Sequence, residues 1–181
     1  SFQYYDASEN EILQSAASYT FVINDLVGNL MTPHEINVGT LTLSVEMGEG
    51  WNWFSVNVAG DDMSPNAVLA TLEPEFNDII KDQNNFAVYY GEDYGWTGAL
   101  TEIDVKSMYM ISTSNAGMLE YTGVPVNSAN TPISIGVGWN WIGYLPQVDI
   151  VTNDALWTVV AELNDIVKDQ NNFAVYYGED Y

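Results

Sequence analysis

Two turns of the chain set side-chain oxygens at alternate positions. In one KDQNN run these are Asp82 and Asn84, and in a second KDQNN run they are Asp169 and Asn171. Oxygen donors so spaced suit a hard cation such as Ca²⁺. The full calcium-loop signature is missing, and Asp and Asn equally close ordinary turns. Both readings also apply to Asp61 with Asp62 and to Glu92 with Asp93. Beyond this candidate Ca²⁺, no cofactor is expected. Paired carboxylates can hydrolyse glycosides, but 25 Asp and Glu make pairs unavoidable, and no apolar surround marks one pair for a raised pKa. His34, the single histidine, lies in the Pro-marked MTPHEIN without the support a catalytic triad needs. There is no Cys, which removes thiol catalysis and thiolate metal sites. Phosphate loops and the H-E-x-x-H and G-x-S-x-G motifs are also absent. The expectation is a protein that is not an enzyme.

Aromatic pairs are the other candidates. In GWNW, Trp51 and Trp53 share one face of a strand, as do Trp139 and Trp141 in a second GWNW. The opposite face carries Phe54 and Val56, so a central strand buried on both sides is expected. Trp96, beside Tyr94 and Tyr90 at a turn, is the expected exposed site for glycan contact.

Net charge is −22, from 25 acidic residues against Lys81, Lys106 and Lys168. Such a chain repels nucleic acid and anionic lipid, and no nucleic-acid partner is expected. Apolar residues make up 47%, enough for a globular core. No apolar run reaches the roughly 18 residues of a membrane span, so no membrane insertion is expected. The acidic balance fits a secreted, extracellular surface. The start at Ser1, with neither Met nor a signal-like apolar region, reads as a processed or trimmed one.

These groups sit within a repeat. Residues 77–94 and 164–181 differ only at Ile80 and Val167, and residues 48–58 match residues 136–146. A spacing of 87 to 88 residues exceeds a solenoid coil, so each unit is expected to be a small domain. Each reads as an aromatic strand, a helix and further strands. SPNAVLATLEPEF starts with Ser64 as cap and Pro65 at the first helical position. In the second unit Ala155, Leu156, Val159, Val160 and Leu163 draw one helical stripe. NFAVYY reads as a strand, GEDYGW as a turn, and residues 106–126 as a hairpin. The predicted class is α+β and sheet-dominated. Two similar repeat domains are expected, each with mixed or antiparallel strands and one helix.

The N-terminal segment echoes the back half of this unit. TPHEINVG (32–39) agrees with TPISIGVG (131–138) at five of eight positions, and FQYYDASENEIL (2–13) parallels MYMISTSNAGML (108–119). TLTLSVEM alternates as an added strand. The expected organisation is circularly permuted. Residues 1–47 form a β segment, 48–135 a full repeat domain, and 136–181 a front half that needs complementation. An exposed strand edge demands a partner. Phe2, Tyr4, Tyr5, Phe21 and Ile23 are the expected donor residues. Phe173, Val175 and Tyr177, with Trp139 and Trp141 beneath, are the expected acceptor. Supplied by another copy, the donor gives a filament. Supplied within one chain, it closes a monomer, read as a carbohydrate-binding or adhesion module.

The pattern carried by residues 50–54, 81–90 and 95–100, and again by 138–142 and 168–177, resembles GWNW-type tandem modules of secreted surface proteins from aquatic bacteria. The layout is also similar to protomers of head-to-tail extracellular fibrils. The resemblance implies a structural, self-assembling protein of the bacterial surface and no enzymatic activity.

Overall fold

The computed structural model describes residues 3–8, 10–14, 23–24 and 38–178. Phe2, Phe21 and His34 lie outside them. Among the described residues, antiparallel sheets dominate and α-helix is limited to two four-residue turns. Near the start, β1 (Gln3–Asp6) and β2 (Glu11–Gln14) form a two-stranded hairpin, with Tyr5 opposite Ile12. TLTLSVEM is a strand as expected, β3 (Leu41–Met47), and leads into β4 (Gly50–Ser55) and β5 (Val58–Ala59).

Helix α1 (Pro65–Val68) begins as predicted. Ser64 has extended backbone, and its hydroxyl accepts the Ala67 N–H at 3.3 Å. The helix is far shorter than its pattern suggested. Pro74 disfavours helical geometry at Glu73, and the chain turns at Asn77, whose φ of 75° suits a short polar side chain. Then come β6 (Ile79–Lys81), β7 (Phe86–Tyr89) and β8 (Trp96–Gly98), followed by β9 (Met108–Thr113) and β10 (Gly117–Pro125). The expected 106–126 hairpin does not form. β9 enters a five-stranded sheet of order β4-β9-β6-β7-β8, while β10 joins β3 and β5 in a second sheet.

Alternation along β9 shows why. Tyr109, Ile111 and Thr113 point inward and are buried, whereas Met108, Met110 and Ser112 are half-exposed. The core gathers these with Met47, Phe54, Val56, Val68, Leu69, Ile80, Ala87 and Leu119, drawn from both sheets and α1. Parting the strands encloses two apolar faces, which a flat hairpin could not do. The Tyr109 hydroxyl accepts from the Asp104 N–H at 2.6 Å, and burial pushes its pKa up to about 12.

Past residue 126, Leu145 is the only buried hydrophobic side chain among the described residues. The second unit repeats part of the local geometry of the first, but its GWNW (138–141) is not the strand expected, because only Ile142 finds a bridging partner there. Helix α2 (Thr152–Ala155), β11 (Ile166–Lys168) and β12 (Phe173–Val175) sit 87 residues after α1, β6 and β7. Asn164 has a φ of 74°. The Asn164 N–H donates to Tyr176 O and the Tyr176 N–H to Asp165 O, both at 2.9 Å; the first unit has the same bonds between Asn77 and Tyr89 and between Tyr89 and Asp78. The predicted long second helix reduces to the single turn of α2. Its stripe has little to pack against, with Ala155, Val160 and Leu163 exposed and Leu156 and Val159 half-exposed, and helices of this length depend on packing.

At concentrations where the chain is monomeric, Leu69→Ala should cost about 2–5 kcal/mol in urea titrations, and Leu156→Ala about 1 kcal/mol or less. Equal losses would contradict the difference in burial. Tyr109 also sets an alkaline limit. Its folded pKa lies above the unfolded value, so the folded state holds a proton that the unfolded state gives up. Stability should therefore fall as pH rises from about 10 towards 12, and the loss should be smaller in Tyr109→Phe.

Candidate functional site

The two GWNW segments and the two KDQNN turns meet, and each turn grips the segment of the other unit. The Gln83 side-chain amide donates to Trp139 O at 2.8 Å and accepts from the Trp141 N–H at 3.0 Å. Gln170 donates to Trp51 O at 2.9 Å and accepts from the Trp53 N–H at 2.8 Å. A carboxamide carries one donor and one acceptor side by side, as a peptide unit does. It can therefore satisfy the C=O of residue i and the N–H of residue i+2, as an added strand would. β4 is the edge strand of its sheet, so Gln170 covers part of an edge that would otherwise lie bare.

Local sequence prepares each half of this clamp. Asn52 accepts the Gly48 N–H at 2.8 Å and donates to Gly48 O and Gly50 O, and Asn140 does the same with Gly136 and Gly138. These loops turn through Gly50 and Gly138 at φ of 87° and 92°, a backbone region that glycine enters without strain. At the Gln end, Asp82 Oδ1 accepts from the Asn84 and Asn85 N–H groups, and Asp169 Oδ1 accepts from those of Asn171 and Asn172. Hydrogen bonds from the Asn172 side chain and backbone hold the Asp169 carboxyl below the usual range. Of the expected cation ligands, Asp82 is thus bonded to the backbone of Asn84 and Asp169 to that of Asn171, each within its own turn. Among the described residues, no three His, Cys, Asp or Glu gather to hold a metal.

The Trp side chains of the two GWNW segments are not in a core. β4 is an edge strand rather than the expected central one: Phe54 and Val56 are buried, Trp53 is half-exposed and Trp51 is 45% exposed. The Lys81 ammonium lies 5.2 Å from the Trp51 ring and 5.5 Å from that of Trp141, and Lys168 lies 4.7 Å from Trp53. Two of the three lysines thus cover indole faces, each contact worth about 0.5–1 kcal/mol where exposed. The second unit also docks by backbone. Ile142 bridges to Ser107, and the Gly143 N–H donates to Lys106 O at 2.8 Å. A Cβ at residue 143 would strike the Val105 carbonyl oxygen, so Gly143 stands where the first unit has Ser55.

The other predicted residues are dispersed. Trp96 is buried at 6% exposure beside Tyr89, not exposed as expected, because it packs inward at the start of β8. Tyr90 and Tyr94 do lie at the surface, where they line a shallow depression with Phe76 and Thr97. Phe76 was missed; its ring packs on Tyr90 at 5.8 Å. Of the expected donors, Tyr4 and Tyr5 are exposed on β1 and Ile23 is exposed. Trp139 is exposed and Trp141 half-exposed, both bonded through backbone to Gln83. Phe173 and Tyr177 are exposed, with Val175 half-exposed at the end of β12. β1–β2 and β11–β12 form separate two-stranded sheets. No protein family, curated protein or solved structure matches the chain.

Gln170→Ala should speed hydrogen exchange at the Trp53 N–H about 5-fold, the worth of one hydrogen bond near 1 kcal/mol. Gln83→Ala should do the same at Trp141. Unchanged exchange would show that the amide clamp contributes nothing.

Proposed function

We propose that this is a secreted, non-enzymatic structural protein whose chains assemble head to tail into a filament. In this reading, residues 48–135 are a full repeat and residues 136–181 the front half of a second. Residues 1–47 serve as a back half that completes the second repeat of a neighbouring copy. One comparison carries the reading. Asp78 is buried, accepting the Glu75 N–H on Oδ2 and the Ser114 N–H and Oγ on Oδ1. Asp165 accepts the matching Glu162 N–H but is exposed, with no donor to Oδ1 among the described residues. The second unit repeats the turns, the helical turn and the β6–β7 pairing of the first without its cover. A contact that is not self-complementary and does not close into a ring propagates as a filament, and an obligate interface of this kind buries on the order of 2,000 Å² or more.

The exposed depression of Phe76, Tyr90 and Tyr94 favours a second reading, a monomeric carbohydrate-binding or adhesion module. Electron microscopy with sedimentation separates the two. Assembly predicts filaments that lengthen with concentration and, at this net charge, with salt; removing residues 1–13 should abolish extension. Uniform monomers whose tyrosine fluorescence shifts with glycan would support the module and end the filament reading.

A further inference from the structure

On the reading that chains complement one another, the geometry points to a specific seat: β1 of a second copy pairs antiparallel with β11, and its Ser8 binds the Asp165 carboxylate. The first unit supplies the template. There β9 pairs with β6, placing Met110 opposite Lys81, Ile111 opposite Ile80 and Ser112 opposite Ile79, and Ser114 just beyond the strand binds Asp78. Laying residues 2–13 on 108–119 without a gap sets Tyr4 opposite Lys168, Tyr5 opposite Val167 and Asp6 opposite Ile166, with Ser8 in the place of Ser114.

Three observations converge on this register. The Ser8 donors are already arranged for a carboxylate: its N–H and Oγ both reach Asp6 Oδ1, at 2.9 and 2.6 Å. Ser114 reaches Asp78 Oδ1 in the same way, at 3.0 and 2.7 Å. Docking therefore exchanges one carboxylate for another and leaves no donor stranded. Next, the one position at which the 18-residue copies differ faces the incoming strand. Ile80 meets Ile111, whereas the smaller Val167 would meet the larger Tyr5, a trade that keeps the packed volume nearer constant. Finally, the register sets Asp6, once released by Ser8, diagonal to Lys168 on the same face, an opposite-charge pair within cross-strand reach.

The absence of cysteine makes the test clean. Tyr5→Cys and Val167→Cys chains, mixed and oxidised, should give a disulfide-linked heterodimer. Tyr4→Cys mixed with Val167→Cys should not, because side chains on adjacent positions face opposite ways. Ser8→Ala should weaken association about 10-fold or more, the worth of a hydrogen bond to a charged group. Assemblies without the Tyr5–Val167 link overturn this seat but leave the filament reading standing. Chains that remain monomeric at all concentrations overturn both. A Tyr5→Cys/Val167→Cys double variant that closes into a fast-migrating monomer overturns the second copy as the occupant.

Discussion

A β-strand carries hydrogen-bonding groups on both edges, and a buried face needs its pairs made. In this protein that constraint falls on β9. By entering between β4 and β6 it turns separate pieces into one sheet, brings Tyr109 and Ile111 into the core, and lets the following turn hydrogen-bond Asp78. A carboxylate that is 4% exposed requires those donors. The well-packed body of the molecule, from Met47 to Leu119, depends on that insertion.

The second unit shows what the same sequence does without the insertion. Its turns, its single helical turn and its β11–β12 pairing all form. Its Ala174 and Asp165 are exposed, where Ala87 and Asp78 are buried. What holds it against the first unit is mostly backbone and carboxamide, through Gln83, Gln170 and the Gly143 approach, with Lys81 and Lys168 each laid over an indole of the other unit. Such contacts set position well and bury little apolar surface.

Much of this was legible in the chain. The Ser64–Pro65 start, the alternation of TLTLSVEM and the turn chemistry of KDQNN and GEDYGW each act over a few residues, and the structure has them where expected. The helix lengths were overcalled because a 3.6-residue stripe is only as stable as the surface it meets. Trp51 and Trp53 were misplaced because hydrophobic character does not say whether a strand is central or at an edge, and Trp96 because a position next to a turn does not say which way the ring points. The Gln clamp was invisible, since nothing in the spacing of Gln83 and Trp139 marks them as partners.

The division follows from range. The amino-acid order alone fixed the duplicated turns, the caps, the strand faces and the acidic surface, because each rests on dihedral preference and hydrogen bonds between near neighbours in the chain. Which strand is inserted, which Trp is exposed and which of two equivalent aspartates is buried were settled in three dimensions. Those outcomes depend on contacts between residues 30 to 120 positions apart, whose value lies in excluding water from both partners at once.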